Sequence, residues 1–139
     1  MKWASIYVVG RKATEPPAWP NGGPTKIGIA GNPQARLSNL QTSCPFAIEL
    51  YATLSLPREL AAVTEQLAHE AFESHRLQGE WFDIAPLHGA IGVLDLARDV
   101  IRELAPSEND AADFLRASGM TGAMNFLVGQ WRRENVQAV

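Results

Sequence analysis

Four side chains in the first half of the chain have the chemistry needed to hydrolyse a phosphodiester bond: Tyr7, Lys26, Arg36 and Glu65. That reaction needs a group that orients or deprotonates the attacking water and positive charge facing the phosphoryl oxygens. It also needs a divalent cation, usually held by one carboxylate and several waters. A tyrosine or lysine suits the first task, an arginine the second and a glutamate the third. These residue types therefore predict metal-assisted phosphate chemistry.

Each of these residues also has an ordinary explanation when it is taken alone. Tyr7 fits a half-buried strand tyrosine, and Lys26 fits a lysine that keeps an edge strand soluble. Arg36 fits a solvated helix arginine. Glu65 and His69 are four residues apart, so they share one face of a helix and could simply be exposed polar partners. The pair does not predict a zinc site, because no third ligand stands at matching spacing.

The elements that must position these residues predict an α+β fold in the order β-β-α-β-α-β, with a mixed sheet flanked by helices. Strands are predicted over residues 6–9, 25–30 and 46–56, with a short one over 80–84. The proline- and glycine-rich stretch 15–24 predicts an exposed hairpin loop. Asn32 is the predicted N-cap of a helix that has Pro33 in its first turn and runs to about Gln41.

The longest predicted helix runs over residues 57–75. Four apolar residues on it, spaced three, four and four apart, predict the buried stripe of an amphipathic helix: Leu60, Val63, Leu67 and Ala71. Glu65 lies roughly 140° around the helix from Leu60, counting about 100° per residue. A functional role for Glu65 and His69 therefore requires a second packing face, for which Ala61 and Ala68 are candidates.

Pro86 marks a predicted boundary between a domain over residues 1–86 and a helical extension over 87–139. Helices are predicted at about 89–105, from Ser107 to Gly119, and beyond. The last one carries an apolar stripe that could bind a protein partner, although packing within the monomer is the commoner use of such a stripe: Met120, Met124, Leu127 and Trp131. The core of the extension is small, so we expect it to pack on the first domain or on a partner.

Composition limits the remaining possibilities. The net charge of −3 argues mildly against a dedicated nucleic-acid binder, but residues 1–48 carry an excess of basic side chains. Cys44 is the only cysteine, which excludes an intrachain disulfide and a cysteine-based metal cluster. No apolar run is long enough to span a membrane, and the N-terminus lacks a signal-peptide core. The sequence therefore predicts a cytoplasmic protein.

Five short segments in fixed order resemble the GIY-YIG nuclease family, in a branch common in phage and bacterial proteins: Ser5-Ile6-Tyr7, Lys26-Ile27-Gly28, Arg36, Glu65 with His69, and Gly79-Glu80-Trp81-Phe82. The match covers about residues 5–85. The resemblance implies that the two tripeptides lie on adjacent strands of the first hairpin. Ser5 replaces the first glycine of the name motifs, and Lys26 replaces the second tyrosine.

The resemblance implies a Mg²⁺- or Mn²⁺-dependent endonuclease whose substrate is DNA. In that reading Tyr7 contacts or activates the water, and Lys26 shares this task or binds phosphate. Arg36 stabilises the transferring phosphoryl group. Glu65 binds the metal, and His69 is a further catalytic candidate.

The Glu80-Trp81-Phe82 segment is best explained by packing, although Glu80 could support the metal site.

The alternative is a catalytically inactive module on the same scaffold that binds nucleic acid or protein. One observation separates the two hypotheses. If Tyr7, Arg36 and Glu65 converge with Lys26 on one pocket, the enzyme is favoured. If Arg36 is paired with Glu70 or Glu73, or if Glu65 points away from the hairpin, the module is favoured.

Overall fold

The computed structural model describes residues 2–14 and 19–104. Five strands form one sheet in the order β3-β1-β2-β5-β4: β1 (Trp3–Arg11), β2 (Thr25–Ala30), β3 (Ile48–Pro57), β4 (Arg76–Gln78) and β5 (Trp81–Phe82). Three helices accompany it: α1 (Pro33–Ser43), α2 (Arg58–Ala71) and α3 (Pro86–Leu104). A 3₁₀ turn at Glu73–His75 follows α2. The predicted α+β class is confirmed.

The prediction of a mixed sheet is wrong, because every pairing among the described strands is antiparallel. Both β2 and β3 run antiparallel to β1 and are therefore parallel to each other. The connection through α1 carries the chain across β1, however, so these two strands are never neighbours. Strand β4 was not predicted; it extends the sheet beyond β5.

The central hairpin of β1 and β2 separates polar from apolar side chains. Tyr7 pairs with Gly28 and Val9 with Lys26, and side chains alternate across a strand. Tyr7, Gly28 and Lys26 therefore lie on one face of the sheet. The opposite face, which carries Ile6, Val8 and Ile27 among others, forms the main core with α2 and α3.

Helix α1 begins as the sequence predicted. The Asn32 side-chain oxygen accepts a hydrogen bond from the Ala35 backbone N–H at 3.1 Å, and Pro33 is the first helical residue. Leu37 and Leu40 are half-buried against a small cluster that includes Tyr7. The helix thus covers the Tyr7 face of the sheet and places Arg36 beside it.

The predicted buried stripe of α2 is wrong. Val63 and Leu67 are 36% and 37% exposed, whereas Ala61, Thr64 and Ala68 are fully buried. The reason is steric, because α2 lies beside α3 on the same face of the sheet and contacts both the sheet and α3, and small side chains allow close approach to both. The face that carries Glu65 and His69 is therefore the one turned toward the protein.

Helix α3 packs its buried residues into the same core as the sheet and α2: Ala90, Val93, Leu94, Ala97 and Ile101. Its bounds agree with the helix predicted over 89–105, apart from an earlier start. The division at Pro86 stays a prediction, and the later helices with their methionine and tryptophan stripe lie outside the described residues. In the part of the chain that the structure describes, no helix has the length and apolarity required to cross a bilayer.

Enlarging a buried alanine of α2 should be far more damaging than enlarging an exposed one. Ala68→Leu should lower the free energy of unfolding by about 1–3 kcal/mol, because it forces extra methylenes into a packed interface. The matched control is Ala62→Leu, at an exposed position of the same helix, and it should change stability by less than about 0.5 kcal/mol. Urea unfolding of both variants measures this, and equal losses would show that the packing face is wrongly assigned.

Candidate functional site

The site is built around the second half of β2, which pairs with β1 on one side but has no strand partner on its other side within the described residues. Among the described strands, β5 pairs with β2 only at Thr25 and Lys26, and the Ile27 N–H still reaches the Glu80 carbonyl at 3.1 Å. Beyond that point α2 supplies the partners. His69 Nε2 donates to the Ile27 carbonyl at 2.8 Å, and the backbone of Ile29 donates to the Glu65 carboxylate. Two helix side chains thus replace the missing strand.

This contact determines which ring nitrogen of His69 donates. Because Nε2 donates to a carbonyl, it carries the hydrogen, and Nδ1 is the nitrogen that remains able to accept a proton or bind a metal. The ring also packs on Phe82, with 5.3 Å between the ring centroids. These two contacts fix the position and the plane of the imidazole.

Gly28 leaves the space in which the polar groups meet. A Cβ atom on Gly28 would lie 2.6 Å from Tyr7 Oη and 3.0 Å from Glu80 Oε2. Glu80 Oε2 in turn forms an ion pair with Lys26 Nζ at 2.9 Å, and Lys26 lies 5.7 Å from the centre of the Trp81 ring. A hydroxyl, a carboxylate and an ammonium group therefore converge over a residue without a side chain.

Electrostatics place the remaining two residues in the same cluster. Burial raises the pKa of Tyr7 to about 12, the charge of Glu80 adds to the rise, Arg36 opposes it, and Glu65 adds a smaller rise. Burial also raises the pKa of the Glu65 carboxyl, with Glu80 contributing, while His69 and Lys26 oppose the shift. Tyr7, Lys26, Arg36, Glu65 and Glu80 are thus close enough to influence one another.

Arg36 is not neutralised by the glutamates that would have favoured an inactive module. Glu70 accepts a hydrogen bond from Gln66, and Glu73 pairs with Arg76. Arg36 is exposed in the first turns of α1, on the side of the sheet that carries Tyr7. Its charge is therefore available to an anion that enters the cluster.

Glu65, His69 and Glu80 could share one cation, because their donor atoms all lie within 4.8 Å of one another. Glu65 Oε2 is buried and has no hydrogen-bond partner within the part of the chain that the structure describes. A buried carboxylate oxygen without a partner is unfavourable, and a cation would satisfy it. The donor set of two carboxylates and an imidazole therefore fits a divalent metal.

Glu80 has a larger part in the site than its sequence context indicates, because that context favours a packing role. The third potential ligand comes from a segment after α2, so the spacing along the helix could not reveal it. The useful signal was its place directly before Trp81, which pairs with Lys26. Packing does explain Phe82, which is fully buried.

The fold and this cluster define a small α+β domain in which basic and acidic side chains meet beside strand β2 of an antiparallel sheet. The chain belongs to the T5orf172 domain family, whose model matches residues 4–105. This is a family of nuclease-associated, DNA-binding domains, so the protein has a role related to nucleic acid. No curated protein and no solved structure matches the chain.

The comparison corrects the family that the sequence motifs had indicated. The matching model is that of the T5orf172 domain and not of the GIY-YIG nucleases. Motifs of three residues with two substitutions, at Ser5 and Lys26, were too short to identify a family. The family assignment now rests on a match to about a hundred consecutive residues.

Adding a methyl group at Gly28 should disturb the cluster. Gly28→Ala should lower the free energy of unfolding by about 1–3 kcal/mol, because Tyr7 is buried and cannot move away freely. The loss should be smaller in a Tyr7→Phe background, since the closest atom is then absent. Gly31→Ala is the matched control, because a Cβ there has no neighbour within 4 Å. Equal losses for Gly28→Ala in both backgrounds, measured by urea unfolding, would contradict the contact with Tyr7 Oη.

The two tyrosines should ionise at an unusually high pH. The chain has two, Tyr7 and Tyr51, and burial raises the pKa of each to about 12. Absorbance near 295 nm should therefore show little tyrosinate below about pH 11, whereas the unfolded chain titrates near pH 10. Because folding raises both values, the stability they contribute is complete below about pH 10 and is lost as the pH rises toward about 12. A folded protein that ionises near pH 10 would contradict this environment.

Proposed function

We propose that the protein is an endonuclease that hydrolyses phosphodiester bonds in DNA with the help of a divalent cation. The observation that carries this proposal is the convergence of the Tyr7 hydroxyl and the Lys26–Glu80 ion pair near Gly28. The charges of Arg36 and Glu65 also act on Tyr7, and Glu65 has an unsatisfied oxygen. Membership of a nuclease-associated domain family supports the same conclusion.

Arg36 and Lys26 supply the positive charge in this proposal. The planar guanidinium of Arg36 can hold two phosphoryl oxygens at once, and its exposure gives DNA direct access. Lys26 is fixed by Glu80 beneath the same cluster. Charge developing on the phosphoryl oxygens during attack would thus meet cations that are already in place.

Tyr7 orients the attacking water in this proposal. With a pKa of about 12, its phenol stays protonated at neutral pH, so it acts through hydrogen bonding and does not remove the proton itself. The proton of the water would pass instead to Nδ1 of His69, the ring nitrogen that does not donate to Ile27.

Glu65 and Glu80 would hold the divalent cation, Mg²⁺ or Mn²⁺. Oxygen-rich donor sets suit both ions. When bound there, the cation neutralises charge on the phosphate and its leaving oxygen. Glu65 has the clearest role, because its unsatisfied oxygen is directly explained by a cation.

Cleavage of supercoiled plasmid and of a branched DNA, with Mg²⁺ or EDTA, tests this proposal. Arg36→Ala and Glu65→Gln should each lower the rate by about 10²–10³-fold, the loss expected when a group that stabilises developing charge is removed. The matched controls are Arg102→Ala and Glu70→Gln, both at exposed helix positions away from the cluster, which should retain the wild-type rate.

Cleavage that persists in EDTA, or in both site variants, would contradict the proposed chemistry. If the purified wild type binds DNA but cuts none of these substrates with Mg²⁺ or Mn²⁺, the protein is a DNA-binding module.

A further inference from the structure

We propose that a pocket next to this cluster binds one unpaired nucleotide of the DNA strand, with the base stacked on Trp3 and the phosphate on Arg58. The inference rests on the proposed function, because it places the nucleotide adjacent to the phosphate held by Arg36. It assigns the substrate class as DNA with an unpaired base beside the cleavage point.

The pocket is continuous with the cluster. It has a volume of about 280 Å³ and is lined by Trp3, Arg36, Arg58 and the end of β2 at residues 29–31. Arg36 belongs to both places, because its charge also acts on Tyr7. Ile29 likewise lines the pocket while its backbone holds Glu65. A DNA strand bound through Arg36 therefore reaches this pocket with its neighbouring nucleotide.

The charge of the pocket suits a phosphate. Among the described residues, its two charged lining side chains are both arginines, and none that lines it is acidic. Arg58 is exposed, and its backbone N–H donates to the Lys2 carbonyl at 2.9 Å. This bond fixes the start of α2 against the start of β1, and so holds Arg58 beside Trp3. In a chain with a net charge of −3, the pocket is a local basic site.

Trp3 gives the pocket an aromatic surface. It is 43% exposed at the first position of β1, where it pairs with Pro57, the residue before Arg58. An exposed indole flanked by arginines is the combination that binds single-stranded nucleic acid, through stacking on the ring and contacts to the phosphate.

The size of the pocket favours a single unpaired base over a base pair. Its volume lies just below the range of about 300–1,000 Å³ that is typical of small-molecule pockets, which is room for one base but not for a base pair. A base inside a duplex already stacks on its neighbours, so it cannot also stack on Trp3. Frayed ends, flaps, junctions and single strands present such a base without that obstacle.

Binding in EDTA tests this site without any cleavage. Fluorescence anisotropy of a labelled single-stranded oligonucleotide gives the affinity, and 2-aminopurine reports stacking of the base. Trp3→Ala should weaken binding about 5- to 140-fold, the equivalent of the roughly 1–3 kcal/mol measured per stacked base. Trp3→Phe should restore most of the affinity. Trp19→Ala is the matched control, since Trp19 is equally exposed, at 44%, but does not line the pocket.

The salt dependence of binding tests the phosphate contact. Arg58→Ala should reduce the slope of log affinity against log salt by about 0.7, the value for one phosphate contact on a single strand. Arg102→Ala, an exposed arginine on α3, should leave the slope unchanged.

Equal losses for Trp3→Ala and Trp19→Ala would overturn the pocket, as would equal losses on single-stranded and duplex DNA. The two proposals fail separately. If the protein cleaves DNA but Trp3→Ala does not change binding, the pocket alone is rejected. If binding depends on Trp3 as expected but no DNA is cleaved, only the nuclease activity is rejected.

Discussion

The unpaired edge of β2 is the constraint on which the site depends. Backbone groups at a strand edge need partners, and β5 ends too early to serve Ile27 and Ile29 fully. The side chains of His69 and Glu65 complete the hydrogen bonding. This arrangement fixes the rotation and height of α2 relative to the sheet. It also brings a carboxylate and an imidazole to the strand that carries Lys26 and Gly28, so a backbone requirement assembles the chemical groups.

The helices packed on the two faces of the sheet support that arrangement. The buried alanines of α2 let the helix lie close to the sheet, and α3 packs beside α2 on the same face of the sheet. On the opposite face of the sheet, α1 covers Tyr7 and carries Arg36. The polar groups therefore lie on two strands and two helices, and only Glu80 comes from a turn. Sites built on regular elements hold their side chains more precisely than sites on loops, which suits groups that must surround one phosphate.

Local signals predicted much of this structure. A short run of apolar, β-branched residues predicted β1, the stretch after the proline- and glycine-rich loop predicted β2 as the returning strand, and the Asn32-Pro33 pair marked the start of α1. The face shared by Glu65 and His69 followed from a four-residue spacing. The sequence misled where packing on several sides decides the outcome. Val63 and Leu67 form the better apolar stripe, yet alanines fill the interface because α2 packs against the sheet and against α3 at once. Glu80 was undervalued because its partners are distant in sequence. The family was misassigned because tripeptide motifs carry little information compared with a match over residues 4–105.

An edge that is closed by side chains has a further consequence for how the chain behaves among its own copies. Open strand edges are templates for pairing with another molecule, and proteins protect them by covering or interrupting them. Here the covering consists of two polar side chains that also belong to the site. If α2 separates from the sheet, the β2 backbone becomes available for intermolecular pairing. Glu65 and His69 thus protect the edge of β2 against pairing with another copy of the chain. Selection for solubility would preserve them independently of any chemistry they perform.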